Sequence, residues 1–169
     1  FGPGRIRRIV VVDQAPSVIA KPHWTEAERL EAGCLFPSPA DFAGFYRAVR
    51  ATTETDATAA LLKGMFTPQV SDADLRFIAQ ENLKFPRQQA ADLLHDHCYL
   101  DWRDTIRTLR NPTLVIGGET SIFSPRSQHW IASQIPGAEV EIFPTAEGGG
   151  HFMFFENPRR FNAEVSAFL

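Results

Sequence analysis

Glu147-Gly148-Gly149-Gly150-His151-Phe152 follows the short strand-like run Val140-Glu141-Ile142-Phe143 and precedes a helix start at Asn157-Pro158. Glycines between a strand and a helix let the backbone bend sharply, and the histidine that ends them is presented at the strand's end. His151 is therefore the candidate general base of a hydrolytic site. A phosphate-binding glycine loop is the competing reading of Gly148 to Gly150. It is set aside because no further glycine follows at the required offset and no helix start is read there.

Working outward, Asn157 with Pro158 supplies a cap and a first-turn proline, and Phe161, Val165, Phe168 and Leu169 form the inner stripe of the last helix. Upstream, Thr113 to Ile116 reads as a buried strand running into Gly117-Gly118-Glu119-Thr120-Ser121. Ser124-Pro125 then opens a helix that Pro136-Gly137 stops. At the other end of the chain, Ile6 to Val12 reads as a strand. Its unbroken Ile9-Val10-Val11-Val12 run suits a parallel strand buried on both faces. Strand, helix, strand, helix is the pattern of a parallel sheet with right-handed crossovers.

Asp13 ends the first strand, where open parallel sheets place their ligands. From the residues alone it reads better as a loop aspartate that caps or turns the chain. Gly2-Pro3-Gly4 reads as a loop following a helix outside this sequence. Three strands are too few to cover both faces of a stable α/β sheet, so the remaining strands are expected from residues outside this sequence, as a missing segment or a partner chain.

Between the first two strands the chain is almost wholly helical in pattern. Thr25 with Glu28 is a capping box; Ser38-Pro39, Ser71, Pro86 and Asp101 mark further helix starts; Phe42, Phe45, Tyr46 and Val49 share one face. The expected division is a core strand over 1–16, a helical cap or lid over 17–100, and core strands and helices over 101–169. Most aromatic residues of the cap read as packed core, with Trp24 and Trp102, and Phe152 beside the histidine, as candidates to line a substrate site.

Composition narrows the function classes. A net charge of −3 offers no basic excess for neutralising phosphates, so no nucleic-acid partner is expected. No apolar run is long enough to span a membrane, and a cytoplasmic location is expected. Cys34 and Cys98 are too few and too far apart for a disulfide framework and read as free, partly buried thiols. Asp92, His95, Asp96, His97, Cys98 and Asp101 invite a metal site. Adjacent-but-one histidines on a helix point to different faces, so no metal and no cofactor is expected.

The run Asn-Pro-Thr-Leu-Val-Ile-Gly-Gly over 111–118, with Gly150-His151, Glu156-Asn157-Pro158 and Phe161-Asn162, resembles the last third of α/β-hydrolase fold enzymes. The resemblance covers the chain apart from the helical block, and places its strands as the sixth, seventh and eighth of that fold. It implies that His151 is the catalytic histidine. The family's acid normally follows the seventh strand, four residues before a proline; that place is Ser121, which cannot act as the acid. Some members take the acid from the end of the sixth strand instead, where this chain has Asp13. Glu119, near the vacated place, is the alternative acid.

The resemblance further implies a nucleophile on a Gly-x-Ser-x-Gly elbow, a motif this sequence lacks. The activity it implies is a serine hydrolase of the esterase or lactonase kind, acting on a small to medium apolar ester. A haloalkane dehalogenase, a cofactor-free haloperoxidase and a non-catalytic ligand-binding member of the fold are the alternatives. By itself the chain is expected to be poorly folded and inactive.

Overall fold

Val10, Val11 and Val12 lie opposite Leu114, Val115 and Ile116 in parallel register, and Val115, Ile116 and Gly117 lie opposite Val140, Glu141 and Ile142. These pairings define a three-stranded parallel sheet, β1 (Ile9–Val12), β2 (Thr113–Gly118) and β3 (Glu139–Phe143), in that spatial order. The structure, a computed structural model, describes residues 5–169; the expected loop at Gly2-Pro3-Gly4 lies outside them. β1 is shorter than the Ile6–Val12 expected. Its partner strand begins only after Pro112, whose nitrogen has no hydrogen to donate, so the ladder opens with Ile9 N–H on the Pro112 carbonyl (3.0 Å). Ile6 stays exposed.

Continuous apolar strands are accounted for by helices on both faces. Successive side chains of a strand point to opposite sides. Val11, Val115 and Val140 pack with Ile131 and Ile135 of one helical layer, built from α6 (Arg103–Thr108) and α7 (Pro125–Gln134). Val10, Val12, Leu114, Ile116 and Phe143 pack on the opposite face with Met153 of α8 (Met153–Glu156) and Phe161, Val165 and Phe168 of α9 (Pro158–Phe168). Ser124 and Asn157 cap α7 and α9 with their side-chain oxygens, each followed by proline, as their sequences predict. The one-turn α8 is an element the sequence reading missed: Met-Phe-Phe-Glu is too short to show a period.

Five helices separate β1 from α6: α1 (Glu26–Ala32), α2 (Pro39–Ala51), α3 (Thr55–Leu62), α4 (Asp72–Leu83) and α5 (Arg87–Tyr99). Thr25 and Glu28 form the reciprocal capping box on α1, and Ser38 and Ser71 cap α2 and α4. Phe36, Phe42 and Cys98 of this insertion meet Ala15 and Val18 after β1 and Phe123 after β2 in one buried cluster. No helix among the described residues is long and apolar enough to cross a membrane.

The two ends of the insertion are tied together. Ser17 and Asp101 form an antiparallel bridge, and Trp102 N–H donates to the Pro16 carbonyl (2.8 Å). The Asp101 carboxylate accepts from Arg103 Nη2 (2.7 Å) and Lys21 Nζ (2.8 Å), while the Arg103 guanidinium lies 4.2 Å from the Trp24 ring centroid. Hydrogen bonding from Arg103, then from Lys21, holds the Asp101 carboxyl well below the usual carboxylate range. Its folded value lies below its unfolded one, so its contribution is present above the unfolded value of about 3.9 and is lost as pH falls through the folded value. Asp101→Asn is therefore expected to lower Tm by about 2–4 °C at pH 7. The difference from wild type should vanish in melts taken at progressively lower pH below the unfolded value.

Candidate active site

Asp13 follows β1 with φ of 44°, a left-handed conformation that aspartate tolerates better than most residues. Its N–H still reaches the Ile116 carbonyl (2.7 Å), so the backbone turns off the sheet directly after the last ladder bond. The side chain has no solvent exposure. A buried carboxylate needs donors to offset lost hydration, and two side chains converge on Oδ2: His151 through Nδ1 at 2.6 Å, and the Ser121 hydroxyl. Oδ1 has no partner among the described residues.

His151 arrives at that contact through a tightly folded loop. β3 ends at Phe143, a 3₁₀ turn covers Thr145–Glu147, and Gly148 takes a left-handed φ of 80°. Gly149 then passes so close to β3 that a Cβ there would collide with the Phe143 carbonyl oxygen. Its own carbonyl accepts from Thr120 N–H (2.9 Å), which joins the loop to the end of β2. The glycines thus answer to close backbone approach rather than to any phosphate. A helix does follow them, contrary to the sequence reading, but it is the single turn α8.

The helical insertion touches this loop directly. Met65 carbonyl accepts the His151 N–H (2.7 Å), and Thr67 donates its N–H (3.0 Å) and hydroxyl (2.5 Å) to Glu156. Phe66 stacks against Phe152 with ring centroids 4.9 Å apart. The His151 ring lies between Phe123, edge-on at 5.4 Å, and Phe152 at 4.7 Å. Its Nε2 makes no hydrogen bond among the described residues.

His151 and Phe152 form part of the wall of a cavity of about 410 Å³ between this loop and the insertion. Most of the wall is apolar, from Phe36, Phe45, Val49, Leu61, Leu94 and Phe123, and Gln14, the residue after Asp13, also borders it. The arrangement can pass a proton: a histidine with one nitrogen on a buried carboxylate and the other unbonded, beside a space fit for an apolar molecule.

The other residues singled out from sequence fall elsewhere. Glu119, the alternative acid, is exposed and turned to Thr145, accepting its N–H (2.7 Å) and hydroxyl (2.8 Å). Those bonds hold its carboxyl below the usual range and tie the ends of β2 and β3 together. Trp24 is buried beneath Arg103 and Lys21 at the base of the insertion, and Trp102 is largely exposed; neither borders the cavity. An aromatic's helix position says which side it favours, but the partner that covers it is a tertiary fact. His97 borders the cavity while His95 stacks on Tyr99 at 4.6 Å, so the two diverge as their spacing requires. Burial pushes both thiols, Cys34 and Cys98, up to about 11.

Ser121 is the residue whose role sequence reasoning missed. Its position in the chain singled it out as unable to act as the acid, yet its hydroxyl is a partner of the acid candidate. The signal was its place four residues before Pro125 on a strand end adjoining β1.

Gly150 sets the distance between the loop and the insertion. A Cβ on it would lie 3.0 Å from both the Met65 carbonyl oxygen and Phe66 Cα, backbone atoms that cannot swing aside. Gly150→Ala is expected to destabilise by about 1–3 kcal/mol through this overpacking, read as a lower denaturant midpoint at unchanged m.

No family model matches the chain. An uncharacterised protein of Mycobacterium tuberculosis is 33% identical over 79 residues, which is 41% of this chain and 22% of that protein. The bromoperoxidase from Bacillus anthracis superposes with a TM-score of 0.80 at 18% identity, covering 97% of this chain and 58% of that one. For the enol-lactonase from Burkholderia xenovorans LB400 the TM-score is 0.76 at 18% identity, over 97% and 56%. A hydrolase from Pseudomonas aeruginosa gives 0.73 at 21%, over 98% and 56%. The chain thus spans a little over half the length of these solved structures, and at such identities the likeness carries the fold. With its parallel three-stranded sheet, flanking helices and helical insertion after β1, the chain has the fold of a portion of the α/β-hydrolase structures it superposes on.

Proposed function

We propose that this chain supplies the acid and base of a serine hydrolase that cleaves a small to medium apolar ester or lactone. The observation that carries the reading is the fully buried Asp13 carboxylate 2.6 Å from His151 Nδ1, with the same imidazole on the wall of an apolar cavity. In this reading Asp13 holds the proton on Nδ1 and stabilises the imidazolium as it forms. His151 Nε2 takes the proton of the nucleophile's hydroxyl as it attacks the ester carbonyl, and returns it to the leaving alkoxide. Water then repeats the cycle on the acyl-enzyme, with His151 again as base.

The nucleophile belongs, in this reading, to a segment outside the present sequence. Ser121 is bonded to the acid candidate, and Ser124 caps α7; neither is on a Gly-x-Ser-x-Gly turn. Residues 17–100 act as a cap, whose Met65–Thr67 segment closes on the His151 loop and whose aromatic and aliphatic wall takes the acyl or alcohol part of the substrate.

Hydrolysis of short-chain p-nitrophenyl esters by the native protein tests the reading. His151→Ala and Asp13→Asn are each expected to lower kcat/KM on the order of a thousandfold or more. Glu119→Gln should stay within about twofold, since no transition-state charge develops beside it. Unchanged turnover in His151→Ala would overturn the assignment. A fluorophosphonate should label a serine outside residues 1–169; a label on Ser121 or Ser124 would place the nucleophile in this chain instead.

A further inference from the structure

The turn after β2 reaches both members of the Asp13–His151 pair. Phe123 N–H donates to Ser121 Oγ (3.1 Å), and the Ser121 hydroxyl donates to Asp13 Oδ2, the oxygen that also faces His151 Nδ1. Two residues along the same turn, the Phe123 ring sits edge-on to the imidazole. The backbone N–H thus fixes which way the serine hydroxyl points. The hydroxyl accepts the Phe123 N–H on one lone pair and gives its single hydrogen to the buried carboxylate.

Asp13 needs this more than most carboxylates would. It is wholly buried, its backbone is in the left-handed region, and Oδ1 has no partner among the described residues. Without Ser121, the imidazole that the carboxylate is meant to orient would be the one group left orienting the carboxylate. Two side chains that constrain only each other can turn together; a third anchored to backbone removes that freedom. The Phe123 N–H, the Ser121 hydroxyl and the Asp13 carboxylate form a series in which the first hydrogen bond polarises the second.

We propose that Ser121 is a positioning residue for the acid–base pair: its hydroxyl, fixed by the Phe123 N–H, locks the Asp13 carboxylate so that His151 is held with its proton on Nδ1. The proposal rests on the hydrolase reading for its kinetic consequence but not for its geometric one. Ser121 touches neither the substrate space nor the reacting atoms; it acts through Asp13. The place where the sequence lacks the family's usual acid is therefore filled by the donor that the relocated acid requires.

Ser121→Ala and Ser121→Thr in the native protein test it by two independent readouts. In ester hydrolysis, Ser121→Ala is expected to lower kcat about tenfold, the effect of one lost hydrogen bond to a charged group, with KM within about twofold; Ser121→Thr, which keeps the hydroxyl, should recover most of the loss. In ¹⁵N NMR of labelled protein, the two ring nitrogens of His151 should be far apart in shift in wild type and Ser121→Thr, as for one tautomer. They should draw together in Ser121→Ala. If Ser121→Thr loses as much as Ser121→Ala, or if the His151 ring shifts are the same in all three proteins, Ser121 is a structural residue and the proposal is wrong. His151→Ala retaining ester turnover would remove the hydrolase reading alone, and the ring-nitrogen comparison would still decide the role of Ser121.

Discussion

A carboxylate without solvent exposure is held in place only by the donors that meet it, and Asp13 meets them at the point where three elements end together. β1 ends at Val12, β2 passes beside it and turns at Glu119 to Ser121, and β3 delivers the loop that carries His151. The parallel register makes this meeting possible, because all three strands present their carboxyl ends on one side of the sheet. Much of the remaining structure can be understood as what keeps these three ends at hydrogen-bonding distance. The two helical layers pack on both faces of the sheet and bury its central strand, β2. Close approach at Gly149 presses the histidine loop onto β3, and the Glu119–Thr145 contact joins β2 to β3.

The helical insertion is coupled to that point twice. At its base, Asp101 gathers Lys21 and Arg103 and keeps the two connecting segments side by side. At its tip, the Met65 carbonyl holds the backbone of His151 itself, and Thr67 holds Glu156 four residues into the turn that follows Phe152. A movement of the insertion therefore cannot leave the histidine loop unaffected. The cavity between them depends on both contacts, and its apolar wall comes almost entirely from the insertion and from Phe123 and Phe152.

Helix starts were legible because capping is local chemistry. Thr25 with Glu28, Ser38, Ser71, Ser124 and Asn157 each accept a backbone N–H within their own first turn, so a window of four residues contains the whole interaction. The buried parallel strand at Thr113–Ile116 was legible for a related reason, its unbroken run leaving no polar face for solvent; Ile9–Val12, read the same way, is only half-buried. Trp24 and Trp102 were not legible as to surroundings, since what covers an aromatic ring is set by elements far away in the chain. Asp13 was ambiguous from its neighbours; the family resemblance, not its local pattern, singled it out as an acid.

What the sequence determined by itself, then, was the set of elements and their ends: three strands, capped helices, a glycine turn leading to a histidine, and an aspartate and a serine at two strand ends. Each of these is an interaction among residues within a few positions of one another. The tertiary structure alone decided which of those ends converge. It brought Asp13 and His151 together across 138 positions, turned Glu119 away to Thr145, and set the Ser121 hydroxyl on the Asp13 carboxylate across 108. Such contacts depend on strand register and helix packing, which place backbone ends to within an ångström, and no local window of sequence contains that distance.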